Sequence, residues 1–221
     1  MTDIVSYAQN GEDLVLWGAL GNIGQGFYID VGAADPVKDS VTKLFYDRGW
    51  SGINAEPRPR GFQSLLAARP RDLNLQVAVS DHSGSITLHE ISPFIELSTS
   101  DADLAADYLA QGMTCQAYEV PCRTLSDICN EYVRGEIHFL KIDVEGAETS
   151  TLRSGNFSRF RPWLLAIEAT WPCTDIPSHE EWEPFVLSAG YDFALFHHVN
   201  RYYVAQEHSY LLTSVKNPTW A

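Results

Sequence analysis

Acids close almost every apolar run in this chain. Phe27-Tyr28-Ile29-Asp30-Val31-Gly32 ends on an acid and a glycine, Ile53-Asn54-Ala55 runs into Glu56, and Val77-Ala78-Val79 runs into Ser80-Asp81. Farther on, Phe139-Leu140-Lys141-Ile142 is followed by Asp143 and Glu145, and Leu164-Leu165-Ala166-Ile167 by Glu168. Carboxylates accept hydrogen bonds, bind cations and take protons. If the runs are parallel strands, their carboxyl ends face one crevice, which is where open α/β sheets bind ligands. So acidic a crevice repels a phosphorylated ligand and favours a cationic or hydroxyl-rich one.

The first turn narrows the choice. A dinucleotide fingerprint needs GxGxxG after the strand so that pyrophosphate reaches a helix N-terminus. Here Gly32-Ala33-Ala34-Asp35 follows the strand, while the glycine-rich Gly21–Gly26 segment precedes it, and no GxxxxGK[ST] occurs. Asp30-x-Gly32 with Glu56 fits S-adenosylmethionine instead. Gly32 and Ala33 let the backbone approach its amino-acid and ribose portion, and Glu56 is placed to accept from both ribose hydroxyls. Asp81, with Ser80 beside it, is a candidate acceptor for the adenine amino group; an Asx turn launching the next strand is the plainer alternative.

These residues need a scaffold of alternating strands and helices. Short apolar runs predict strands at 26–32, 51–56, 73–79, 137–143 and 164–168, and the 3.6-residue spacing of Val41, Leu44 and Phe45 predicts a helix over 40–48. Further helices are expected at 13–20, 57–69, 102–109, from Thr124 with Asp127 at its third position, from about Ala147, and over 177–189. Residues 84–91 read as an extra antiparallel strand, 119–123 as extended, and 191–196 with 202–205 as a terminal antiparallel pair. The pattern predicts a doubly wound, mostly parallel α/β sheet with an antiparallel terminal strand. No linker or repeat interrupts it, so one domain over 1–221 is expected.

Composition excludes several classes. With 15 basic against 29 acidic residues the net charge is −14, a poor match to nucleic acid. The one basic cluster, Arg58, Arg60, Arg69 and Arg71, reads as the solvated face of a helix. Four cysteines without a CxxC pair suggest reduced, mostly buried thiols. No signal pattern or apolar run long enough to cross a membrane is present, so a cytoplasmic protein is expected.

Taken together, Ser6–Asp13 (SYAQNGED), Phe27–Ala33 (FYIDVGA), Leu44–Trp50 (LFYDRGW), Ala78–Asp81 (AVSD), Val120–Leu125 (VPCRTL), Lys141–Glu148 (KIDVEGAE) and Asn200–Val204 (NRYYV) resemble the FkbM-type S-adenosylmethionine-dependent methyltransferases, in the same order and nearly end to end. The resemblance implies a class I methyltransferase (Rossmann-like) fold with sheet order 3-2-1-4-5-7-6. It implies methylation of hydroxyls on sugars, glycans and related natural products, with some relatives methylating peptides. It also makes Gln9, Gly11 and Glu12 candidates for closing over the cofactor, where the residues alone suggest only a helix cap. This chain departs from the family in carrying His197-His198-Val199 where Asp-Gly often precedes the Asn-Arg pair.

Methyl transfer needs in-line alignment and, for a sugar hydroxyl, a base. Asp143, His197 and His198 are the candidates, and Asp143 is also a candidate for holding the cofactor. Trp171, Trp182, Tyr202 and Tyr203 are candidate sugar-stacking rings, with packing the alternative. Lys141, inside a buried strand, must pair with an acid. Asp143, Glu145 and Glu168 would suit magnesium if they converged. No tight ligand motif occurs, so metal independence is expected. The expected partner is a small-molecule or glycan acceptor. Peptide N-methylation and an idle cofactor-binding scaffold are the alternatives.

Overall fold

Four of the five apolar runs form the inner strands of a seven-stranded sheet in the computed structural model, which describes residues 4–218. In chain order the strands are β1 Phe27–Val31, β2 Ser51–Ala55, β3 Leu73–Leu75, β4 Ala78–Val79, β5 Gly84–Ser92, β6 Thr114–Arg123, β7 Phe139–Ile142, β8 Leu164–Glu168, β9 Tyr191–His197 and β10 Asn200–Ala205. The α-helices are α1 Glu12–Leu20, α2 Lys43–Asp47, α3 Pro59–Ala68, α4 Ala102–Ala110, α5 Leu125–Tyr132, α6 Glu148–Arg153, α7 Glu183–Ser188 and α8 Leu212–Lys216. The main sheet runs β3-β2-β1-β7-β8-β10-β9, parallel except that β10 is antiparallel to both neighbours. Counting only the strands of this sheet, that is the 3-2-1-4-5-7-6 order expected.

Alternate residues along each strand serve two cores. Ile29, Val31, Leu140 and Ile142 pack against α5, α6 and α7 through Ile128, Leu152 and Val186. Tyr28 and Phe139 face α1, α2 and α8, meeting Leu16, Phe45 and Val215. Phe45 and Phe139 approach to 4.7 Å between ring centroids, and Tyr28 stacks on Phe139 at 5.5 Å. Thr124 caps α5 by accepting from the Asp127 amide, and Asp101 caps α4 by accepting from Asp103 and Leu104.

Four expectations change. The predicted strand 73–79 is two: Leu75 ends its pairing with β2, and Ala78 and Val79 pair instead with Cys122 and Arg123 of β6. An apolar run records burial but not which sheet receives it. Strand β6 is longer than 119–123 because its first half, Thr114–Tyr118, is mostly exposed and carries no hydrophobic alternation. The predicted helix 177–189 shortens to a 3-10 turn over His179–Glu181 and α7, since Pro184, lacking an amide proton, sits in the first turn of α7. Nor is the basic cluster one solvated face, although Arg60 and Arg71 are exposed. Arg69 is 1% exposed, donating to the Pro36 carbonyl and the Ser40 hydroxyl.

Candidate active site

A cavity of about 730 Å³ opens at the carboxyl ends of β1, β2, β7 and β8. Gly32 and Ala55 form its floor with Asp143, Val144 and Glu145. Gln9 and Asn10 enter from the N-terminal segment, His198 and Val199 from the β9–β10 turn, and Phe94, Leu97 and Met113 from the irregular segment around α4.

At the floor, Gly32 has φ +80°, and a Cβ there would lie 1.9 Å from the Asp143 carbonyl oxygen. Only glycine lets the two strand ends come so close. Beneath it, Lys141 donates to the Gly32 carbonyl at 2.7 Å and lies 3.4 Å from Asp30 and 3.5 Å from Asp143. Burial works against the ammonium, but Asp143 and then Asp30 outweigh it and hold its proton. The two acids differ in access. The Asp30 side chain is 2% exposed and also accepts from the Thr42 hydroxyl, whereas that of Asp143 is 39% exposed to the cavity.

Asp143, Glu145 and Glu168 bring carboxylate oxygens within 4.8 Å of one another. Burial, then Asp143 and Glu148, pushes Glu145 up to about 9. Burial and then Asp143 likewise push Glu168 well above the usual carboxylate range. Glu148, 3% exposed, closes the turn after β7 by accepting from the Val144 amide at 3.0 Å, and burial pushes it up to about 7.

The remaining predicted residues separate into cavity and support. Gln9 lines the cavity, while Gly11, at φ +77°, leads into α1. Buried Glu12 accepts from the Asn10 amide at 2.8 Å and from Asn200 at 3.0 Å, tying the N-terminal segment to β10. Ala33 is buried beside the turn. Glu56 is 2% exposed, accepting from the Ala34 amide at 2.8 Å and from Arg58 Nε at 2.8 Å. Arg58 in turn donates to the Ile95 carbonyl at 2.7 Å. Ser80 is buried and its amide donates to Arg123, whereas Asp81 is exposed and pairs with His82 at 2.9 Å; Val79, not this pair, lines the cavity. His198 lines the cavity at φ +52°, its ring 4.4 Å from that of His197. Burial and then His198 hold the His197 imidazole below its ordinary range. Trp182, Tyr202 and Tyr203 are core residues at 1% exposure or less, so their packing reading holds, whereas Trp171 is 37% exposed. Arg58, Phe94 and Met113 line the cavity without having been singled out for it. Arg58 carried one usable signal, its place two residues after Glu56.

A 3-2-1-4-5-7-6 sheet with an acidic cavity over a glycine turn at its central strands defines the class I methyltransferase architecture. The family model described as the methyltransferase FkbM domain matches residues 30–193, and the chain belongs to that family. A solved structure, the FkbM methyltransferase from Methylobacillus flagellatus KT, superposes with a TM-score of 0.55 at 18% identity, over 85% of this chain and 47% of that one. The chain thus spans about half the length of that neighbour, and the likeness is one of fold. No curated protein sequence matches.

Proposed function

We propose that the protein transfers a methyl group from S-adenosylmethionine to a hydroxyl of a sugar, glycan or related natural product. The observation that carries this reading is the open carboxylate of Asp143 beside the bare backbone of Gly32, over a cavity of about 730 Å³. The residues fit the cofactor: Gly32 leaves room for close backbone approach, and Gln9 and Asn10 flank the opening. Glu56 accepts from ribose hydroxyls once Arg58 swings aside, since Arg58 and Ala34 now engage both its oxygens.

Bound there, S-adenosylmethionine supplies an electrophilic methyl on a good leaving group. The chain's part is orientation and proton removal. Lys141, 3.5 Å away, holds Asp143 in place beside the cavity. Asp143 accepts the acceptor's proton as the new oxygen–carbon bond forms, with His197 and His198 the alternative bases. Trp171 offers a partly exposed ring for a sugar face. Peptide N-methylation is the second reading, favoured by the acid cluster, which attracts an amine.

Calorimetry tests the cofactor: S-adenosylhomocysteine should bind more tightly than NAD, and the reverse order refutes the reading. A screen of sugar nucleotides, glycans and peptides with tritiated cofactor tests the acceptor. Label appearing only in peptides would select the second reading, and cofactor binding without any transfer would select an idle scaffold.

A further inference from the structure

The mechanism above uses Asp143 but leaves Glu145 and Glu168 without work. Both carry a buried Oε2 with no hydrogen-bond partner, and Glu168 is only 9% exposed. Lys141, the cation beside Asp143, is shared with Asp30 and with the Gly32 carbonyl. Glu148 is committed to the Val144 amide. A separate side chain points the same way. Tyr108 lies on α4 one turn beyond Leu104, which packs 3.5 Å from where a Cβ on Gly146 would stand; it is 3% exposed, and its hydroxyl has no hydrogen-bond partner among the described residues. Two carboxylate oxygens of one cluster, and a hydroxyl on the helix packed beside it, are thus buried without a partner.

We infer that Asp143, Glu145 and Glu168 form a site for one divalent cation of the oxygen-seeking class, magnesium or manganese, with Tyr108 holding a water on it. The dimensions suit such an ion. Octahedral bonds of about 2.1 Å put opposite ligands about 4.2 Å apart, and the carboxylate oxygens already lie within 4.8 Å of each other. An all-carboxylate set selects hard cations over zinc or copper. Three protein ligands leave positions open to the cavity, where two neighbouring oxygens of the acceptor bind. Of these two, the hydroxyl to be methylated loses its proton more readily when bound to the ion. That role rests on the methyl-transfer reading; the binding of the ion does not. The inference reverses the expectation of metal independence.

Titration of the whole chain with manganese alone, free manganese being read by electron paramagnetic resonance, tests the site. One ion per chain, displaced by magnesium, is expected. Glu145→Gln and Glu168→Gln should each weaken binding at least about tenfold, and Tyr108→Phe about tenfold through the lost outer contact. Glu119→Gln, on the exposed face of β6, should leave binding unchanged. Circular dichroism melts show that each variant is folded. A stoichiometry well below one, or wild-type affinity in folded Glu145→Gln and Glu168→Gln, overturns the site. S-adenosylhomocysteine binding, measured in parallel, separates the two readings. Binding of S-adenosylhomocysteine without manganese refutes the ion and spares methyl transfer, whereas binding of manganese without S-adenosylhomocysteine supports the ion and refutes methyl transfer.

Discussion

Replacing Gly32 by alanine should damage both stability and cofactor binding, and the size of the effect follows from the geometry. A left-handed backbone at this position costs an L-residue about 1–2 kcal/mol. The added Cβ would sit 1.9 Å from the Asp143 carbonyl oxygen and 3.0 Å from its carbon. Relief requires more than an ångström of movement at a strand end pinned by the Asp143 amide on Val31 and by Lys141 on Gly32. Overpacking of that kind costs about 1–3 kcal/mol. The sum is about 2–5 kcal/mol, and at about 2–4 °C per kcal/mol for a chain of this size the melting temperature falls by about 4–20 °C. Gly18→Ala is the internal control, since nothing lies within 4 Å of its Cβ and it sits inside α1, where alanine should be neutral or mildly stabilising. Differential scanning calorimetry and S-adenosylhomocysteine titration read the two effects. If Gly32→Ala melts within a degree or two of wild type and binds the ligand equally well, the close approach of the two strand ends is not what shapes the cavity floor.

Asp143→Asn should lower turnover at least about a hundredfold with an unchanged circular dichroism spectrum; normal turnover there, with His197→Ala or His198→Ala inactive, would move the base to the histidine pair. Lys141→Met should cost about 3–5 kcal/mol in chemical denaturation by leaving Asp30 and Asp143 without their cation, and wild-type stability would refute the ion-pair account. Asn200→Ala removes the one β10 partner that the described residues give buried Glu12, for a loss of about 1–3 kcal/mol, and should raise hydrogen exchange in residues 9–12; unchanged exchange would show the segment is held by something else. His138 accepts from the Phe27 amide at 3.0 Å, and burial lowers its affinity for a proton. The unfolded imidazole therefore protonates first, so stability is lost as pH falls from about 7. His138→Asn, which keeps an acceptor, should flatten the fall in melting temperature between pH 7.5 and 5.5, and an unaltered slope would refute the assignment.

The strand-end acids were legible because strands in a parallel sheet are short apolar runs and the polar residue that stops each run sits at the crevice. Asp143, Glu145 and Glu168 were readable in that way, although only coordinates could show that they converge. Other features left no local trace. Arg69 reads as a solvent-facing helix residue, yet it is held by Pro36, Ser40 and Tyr28, with Asp72 3.8 Å away, partners drawn from three other segments. The Glu12–Asn200 bond spans a sequence separation of 188 residues. The cavity wall over 94–113 was invisible because exposed residues interrupt its hydrophobic pattern, and no period survives.

Strand register explains how two aspartates of the same type come to opposite fates. In the β1–β7 ladder Asp30 pairs directly with Lys141, and Asp143 follows Lys141 by two residues, so all three project from one face of the sheet. Asp30 lies within its strand, between β2 and β7, and is sealed beneath Lys141 and Thr42. Asp143 lies one residue past the end of its strand, where the sheet stops and the cavity begins. The buried acid fixes the ammonium, the ammonium fixes the open acid, and the bond to the Gly32 carbonyl locks that ammonium to the turn at the cavity floor. The proposed mechanism places proton removal on this open carboxylate. A buried ion pair one layer down supplies the rigidity that an isolated acid on a loop would lack.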